Sequence, residues 1–430
     1  MLRKLLLLLL TAFPLAADTT ITLLHFSDYH SHALPFYTDE GERGGIARAI
    51  GYLKQQKRAG ALVFSGGDTV NKGAPAWSDK YQCAEWPWLN GVVDAMAFGN
   101  HDADYGWEAF QRCRKSVRYP ILSANTSGFP GTAVFDVRGV RGVRVGVFAL
   151  AGEDFAQLVK IPGITFSDPI TAAKEAVRVL RDERRANVVV MIGHQETDAD
   201  YELARAVPGI DVIFGSHSHL KRDLVQIPGT ATSFISPSQY LAYITRVEVT
   251  VAEGRVKSVR GGLVPVDGSL PVDARIARRV AGMQRDLERD PQYRDLFRPI
   301  GRRETPLSTE ALAKRTLEVM REAANADVAL STKSSFRSPL PAGTLTLELL
   351  RAAMPYDNEI VVCTMTGVQL QRALDEAGPE SYVTPLAVDP VREYRVATTD
   401  YVAYVAHKDV FACDRKQTGL HVREELRKRF

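Results

Sequence analysis

Beyond its first seventeen residues the chain has no apolar run long enough to cross a bilayer. It also lacks an excess of either charge: 54 lysines and arginines stand against 51 aspartates and glutamates, a net of +3. That balance argues against a nucleic-acid polymer or an anionic membrane as partner, and leaves an anionic small molecule to be drawn by local charge. Internal repeats and low-complexity tracts are missing after the first seventeen residues. Cysteine is scarce, with only Cys83, Cys113, Cys363 and Cys413. None has metal-ligand spacing, so they are left out of any metal site. Four cysteines allow three pairings. Cys83–Cys113 with Cys363–Cys413, one bridge in each half, is one of them, and four free thiols are the plainer alternative.

The first seventeen residues are the exception to this even composition. Arg3 and Lys4 precede Leu5 to Leu10, and the apolar run continues to Leu15-Ala16-Ala17. A basic start, a short apolar core and small residues at the end describe a secretory signal peptide, residues 1–17, cleaved near Ala17. The run is too short to anchor comfortably in a bilayer, and no cysteine follows it to take a lipid. The expectation is export to the periplasm or the medium, without stable membrane insertion. Losing Arg3 and Lys4 takes the net charge from +3 to +1. At 430 residues, 45% hydrophobic and 24% charged, the chain suits two soluble domains better than one.

In the first half short β-like runs alternate with helical patterns. The strands expected are 21–26, 61–65, 95–98, 121–124, 143–150, 188–192 and 212–214, with helices over 45–57, 107–115 and 170–185. This alternation predicts layered α/β architecture. Segments 234–235, 241–251 and 256–264 read as hairpin strands completing a sheet. Residues 272–298 are rich in arginine and acid and read as an exposed connecting helix and linker. A second α/β unit follows, with helices over 310–324, 346–353 and 367–377, strands over 328–331, 359–365 and 394–398, and a basic helical end over 421–429.

What the chain does have is an ordered series of metal-ligand fragments: Asp28-Tyr29-His30, Gly66-Gly67-Asp68, Gly99-Asn100-His101-Asp102, Gly193-His194 and Gly215-Ser216-His217-Ser218-His219. Five of the nine histidines fall inside them. Each fragment follows a β-forming run, where a rigid strand gives way to a loop that can carry chemistry. Taken singly, each residue could cap a turn or sit in solvent. Together, Asp28, His30, Asp68, Asn100, His194, His217 and His219 offer a mixed oxygen and imidazole shell, enough for two divalent cations if one carboxylate bridges. Asp68, mid-series on a glycine turn, is the expected bridge. His25, inside the first strand, reads as a satisfied core residue, His32 as a neighbour of the ligands, and His407 and His421 as surface.

The order Asp-x-His, Gly-Gly-Asp, Gly-Asn-His-Asp, Gly-His and Gly-x-His-x-His resembles the calcineurin-like metallophosphoesterase superfamily. More closely it is similar to the bacterial 5'-nucleotidase and 2',3'-cyclic phosphodiesterase family. The resemblance implies a four-layer α/β/β/α sandwich over residues 18–270, a linker helix over 271–300 and a smaller α/β substrate domain over 301–430. It implies two divalent metals (manganese, zinc, iron or cobalt), one held by Asp28, His30, Asp68 and His219, the other by Asp68, Asn100, His194 and His217. His101 would face the substrate, with Asp104 as its acidic partner, and Asp102 would support the ligands. The implied reaction is hydrolysis of a small-molecule phosphoester by a metal-activated water, with no covalent enzyme intermediate. The same chemistry on a sugar phosphate or a carrier-bound sulfur ester, or a non-catalytic metal-containing binding protein, are the alternatives.

In the second half the likeness has a gap. Ala326-Asp327-Val328-Ala329-Leu330 and Met354-Pro355-Tyr356-Asp357-Asn358 resemble family landmarks. Where the family carries an Asn-Gly-Gly-Gly-x-Arg loop, this chain reads Ser331-Thr332-Lys333-Ser334-Ser335-Phe336-Arg337 and keeps only the arginine. Arg337 is thus the candidate substrate-binding residue, equally open to a plain salt bridge. Phe336, Tyr356 and Tyr382 are available to clamp a base, although packing is the more ordinary use of such rings.

Overall fold

The computed structural model describes residues 18–73, 75–129, 132–411 and 413–430. The expected signal segment therefore lies outside the described residues. Two sheets form the centre of the first domain. One has seven strands in the order Arg255–Pro265, Tyr243–Ala252, Thr19–Phe26, Leu62–Ser65, Ala95–Ala97, Ile121–Leu122 and Thr132–Ala133. The other has six, in the order Lys221–Gln226, Ser233–Pro237, Val212–Gly215, Val188–His194, Val143–Ala151 and Phe135–Val140.

Period-two alternation explains how the sheets stack. In Thr19–Phe26, Ile21 and Leu23 face the other sheet and meet Val145, Val147, Val190, Ile192 and Phe214 in an apolar inter-sheet core. Leu24 and Phe26 point the other way, against Ile46, Ile50 and Leu53 of helix Ile46–Arg58. On the far side, Phe148, Val189 and Met191 pack on Ala173, Ala176 and Leu180 of the helix that begins at Pro169, and on Leu203 of helix Thr197–Ala206. The four layers are therefore helix, sheet, sheet, helix. Because both sheets are covered on both faces, their inner strands read as continuous apolar runs.

The hairpin expectation needs correction. Tyr243–Ala252 and Arg255–Pro265 do pair with each other and complete the first sheet. Ser233–Pro237 instead joins the second sheet, parallel to Val212–Gly215. The sequence hid this because the edge strand Lys221–Gln226, its other partner, is exposed and charged. The expected linker also does more than connect. Helix Ala274–Arg289 turns its arginines outward but buries Ile276, Val280 and Leu287 in the core of the first domain.

The second domain is a five-stranded mixed sheet, in the order Ser381–Val383, Val328–Thr332, Glu393–Thr399, Glu359–Thr366 and Lys416–His421. Helices Thr309–Ala323, Leu347–Ala353 and Val422–Arg427 cover one face through Leu312, Leu317, Leu350 and Leu426. Helix Gly367–Ala377, capped by Thr366 and Gln369, covers the other with Phe411 and Tyr394. The cysteines pair as Cys83–Cys113 and Cys363–Cys413, with Cα atoms 5.7 and 5.9 Å apart, one bridge in each domain.

Candidate metal centre

All seven candidate ligands lie at carboxyl ends of neighbouring parallel strands. Asp28 and His30 follow Thr19–Phe26, Asp68 follows Leu62–Ser65 and Asn100 follows Ala95–Ala97 in one sheet. His194 closes Val188–His194, and His217 and His219 follow Val212–Gly215 in the other. Two facing sheets thus present their ligands at one edge of the sandwich.

The local backbone is unusual there. Asp28, His30, Asp68, His217 and His219 all have positive φ, between 48° and 65°. Left-handed backbone costs a residue with a Cβ roughly 1–2 kcal/mol, so the surrounding turns must hold it in place. Gly67 and Gly99 permit the close approach: a Cβ on Gly67 would lie 2.7 Å from the Gly99 nitrogen, and one on Gly99 would lie 2.2 Å from the Asp68 carboxylate. Asp102 ties the two turns together. It accepts from the backbone N–H of Asp68, Thr69 and Gly99 at 3.2, 2.8 and 2.9 Å, and from the Thr69 hydroxyl at 2.6 Å.

The side chains converge in two groups, Asp28 with His30 and His219, and Asp68 with His194 and His217. Asn100 joins the second, its Oδ1 3.2 Å from His194 Nε2 and 3.0 Å from His217 Nδ1. Asp68 Oδ2 lies 3.3 Å from His194 Nε2 and 3.8 Å from His30 Nε2, between the groups. Each of three imidazoles is oriented from behind. His30 Nδ1 donates to the Val70 carbonyl at 3.2 Å, His194 Nδ1 to that of Gly66 at 2.6 Å, and His217 Nε2 to Asp154 Oδ2 at 3.0 Å. Such partners fix the tautomer and leave the opposite nitrogen bare for a cation.

The residues fit a pair of divalent cations. His30 Nε2 and His219 Nε2 face each other at 3.1 Å, and Asp28 Oδ2 is buried with no hydrogen-bond partner. Burial pushes the His30 and His219 imidazoles below their usual range, while the Asp28 carboxylate, helped by His219, is held down at about 2 against its own burial. Neutral imidazoles beside ionised carboxylates are the forms a metal binds. Burial alone would also lower His194, but the Asp68 carboxylate draws it up to about 10. A cation in the second group would take over that counter-charge and release the proton.

His101 stands apart from both groups of ligands. Its backbone N–H donates to Asp68 Oδ1 at 2.8 Å, and its Nδ1 meets Asp104 Oδ2 at 2.8 Å. Burial works against its charge, but Asp68 and Asp104 outweigh it and hold the imidazole near 9. His101 and Asp104 line a cleft of about 650 Å³ whose far wall comes from the second domain, including Ser335, Arg337, Tyr356 and Tyr401. Among the described residues Arg337 meets no carboxylate there: Nη1 donates to His219 Nδ1 at 2.5 Å, and the guanidinium lies 6.0 Å over the Tyr356 ring.

The remaining sequence expectations divide. His25 is buried as expected, stacked on Phe214 at 4.9 Å, but both its ring nitrogens lack a partner, and burial lowers its pKa to about 3. His32 stacks on Tyr240 at 3.6 Å, and its Nδ1 meets the His30 carbonyl at 3.0 Å. Phe336 is spent in the second domain's core against Tyr382, so of the three aromatics only Tyr356 faces the cleft. Sequence reasoning missed Asp154, Tyr240 and Tyr401. Asp154 had a signal, since Gly152-Glu153-Asp154 follows the strand Val143–Ala151 as the other fragments follow theirs.

Residues 21–221 match the calcineurin-like phosphoesterase family, and residues 293–386 match the 5'-nucleotidase C-terminal domain. Among curated relatives, the protein UshA of Yersinia enterocolitica is 26% identical over 423 residues, covering 82% of this chain and 75% of its own length. The 5'-nucleotidase precursor of Thermus thermophilus superposes with a TM-score of 0.74 at 21% identity, over 95% of this chain and 96% of that one. The sulfate thiohydrolase SoxB of the same organism, in complex with glycerol, gives 0.73 at 20% identity, over 95% and 93%. At such identity the two structures establish a common fold.

Proposed function

The chain belongs to the family that joins a calcineurin-like phosphoesterase domain to a 5'-nucleotidase C-terminal domain, and on that premise we propose that this metal-dependent phosphoric ester hydrolase cleaves nucleotide-type phosphomonoesters, cyclic phosphodiesters or both. The observation that carries the reading is one arrangement: two ligand groups sharing Asp68, with the His101–Asp104 pair beside them in the interdomain cleft.

Asp28, His30, Asp68 and His219 would hold one cation, and Asp68, Asn100, His194 and His217 the other. Two such cations supply Lewis acidity that activates water and neutralises charge on the phosphoryl oxygens. The chain's own groups do the rest. With Nδ1 engaged by Asp104, His101 offers its Nε2 proton to the charge that builds on the leaving group or a phosphoryl oxygen. Asp104 holds the ring in that orientation and favours its charged form. Arg337 brings a planar fork of donors to the phosphate from the second domain. The basic and apolar N-terminal sequence supports export to the periplasm or the medium, and among the described residues no helix is long and apolar enough to cross a membrane.

A non-nucleotide ester (a sugar phosphate or a carrier-bound sulfur ester) is the second reading. It is favoured by Phe336, which is buried in the core and so does not flank a base. A hydrolysis screen over nucleotides, cyclic nucleotides, nucleotide sugars, sugar phosphates and a carrier-bound sulfur ester, with manganese, zinc and cobalt compared, decides between the two. In the same assay His101→Ala should lose about 10²- to 10⁴-fold in kcat on bis-p-nitrophenyl phosphate, with two divalent ions still bound per chain. A wild-type rate for that variant would sink the catalytic assignment.

A further inference from the structure

The two domains meet at one point that leads back to the catalytic pair. Helix Ala76–Tyr81 begins after Pro75, which has no side-chain oxygen to cap it. The cap comes from the other domain. Glu348, on helix Leu347–Ala353, accepts from the Ala76 backbone N–H at 2.7 Å, and a carboxylate there also suits the positive end of the helix. Arg351, one turn on from Glu348 and 3.4 Å from its carboxylate, donates to the Gly73 carbonyl.

The same loop is held from its other side by the catalytic turn. Lys72 N–H donates to Asp104 Oδ2 at 3.0 Å, the oxygen that orients His101. Tyr105, the next residue, donates to Asp79 Oδ1 at 2.9 Å, which also accepts from the Gly73 N–H at 2.8 Å. Ser78 Oγ accepts from the Asn71 N–H at 2.9 Å and lies 3.1 Å from the Tyr105 hydroxyl oxygen. Residues 71–73 and 75–79 thus form a bracket with Glu348 and Arg351 on one arm and Asp104 and Tyr105 on the other.

We propose that Glu348 and Arg351 are positioning residues through which the second domain sets the His101–Asp104 pair, by way of the loop at 71–73 and the helix Ala76–Tyr81. Docking of the substrate domain completes the catalytic turn of the metal domain. The inference rests on His101 and Asp104 acting in the reaction as proposed above.

A double-mutant cycle with Asp104, read on bis-p-nitrophenyl phosphate, tests it. Glu348→Ala should lower kcat by about tenfold or more, with KM within about twofold and both metal ions retained. Glu348→Gln still accepts from the Ala76 N–H, so it should recover most of that loss; this separates positioning from misfolding. In the Asp104→Asn background Glu348→Ala should cost under about twofold further, because two changes acting through one contact are not additive. An equal tenfold loss in both backgrounds, a loss confined to KM, or wild-type kcat for Glu348→Ala overturns the coupling. Wild-type kcat for Asp104→Asn alone overturns instead the role of the pair on which the coupling depends.

Discussion

Arg337 of the second domain donates from Nη1 to Nδ1 of His219 in the first, at 2.5 Å. An imidazole that gives Nε2 to a cation carries its proton on Nδ1 and can no longer accept that bond. With the site loaded, the guanidinium would give up that bond and be free to offer its donors to a phosphoryl group in the cleft it lines.

Replacing Arg337 by alanine should therefore raise the inhibition constant of inorganic phosphate and lower kcat/KM by roughly 10- to 100-fold, the range of a charge-assisted hydrogen bond. Lysine at this position should restore only part of the loss, since it cannot form the planar fork. An unchanged phosphate inhibition constant for Arg337→Ala would show that the arginine serves packing between the domains.

Asp154 offers a test of the second cation alone. Its carboxylate holds His217 Nε2 at 3.0 Å, a hydrogen bond that lowers its pKa despite burial. Without it His217 loses its fixed tautomer, and affinity at that group should fall about 10- to 100-fold. Graded chelation of Asp154→Ala, followed by metal analysis, should show one ion leaving early and the other held as in the wild type. Simultaneous loss of both ions, or of neither, would contradict this assignment.

Glu85, outside the residues that line the cleft, gives a pH dependence of stability. Its buried carboxyl accepts from Trp77 Nε1 and from the Tyr29 hydroxyl, and burial raises its pKa from 4.5 to about 7. The folded state therefore binds the proton more tightly than the unfolded one. The stability this contributes is full below pH 4.5 and is lost as pH rises through 7, a span of about 3 kcal/mol. Glu85→Gln keeps the acceptor oxygen and removes the titration. The Tm of the variant should exceed that of the wild type at pH 8 and approach it at pH 5; a constant gap across this range would count against a raised Glu85.

The sequence made the candidate metal edge legible because each candidate ligand is anchored to a strand end, and strand ends are marked by apolar runs and glycines. Helix Gly367–Ala377 was readable to the residue, since Thr366 and Gln369 write its capping box. Helix Thr197–Ala206 was not, because a carboxyl occupies one of its core positions. Asp200 is fully buried, and burial pushes its pKa well up, so a side chain that reads as surface sits in the interior. The domain junction was invisible for a different reason. Glu348 and Ala76 are 272 residues apart, and no local pattern announces a helix capped from another domain. Arg337 was marked as a candidate by its place in a degenerate loop, but its contact with His219 could not be read there.

The left-handed backbone at Asp28, His30, Asp68, His217 and His219 has a consequence for which ion the enzyme carries. Candidate ligands whose main chain is held by turns, and at Asp68 by Asp102 as well, would need no refolding when one divalent ion replaces another. Exchange would then ask for side-chain adjustments alone, and a centre of this kind would leave the choice among manganese, zinc, iron and cobalt to the surrounding medium and its supply.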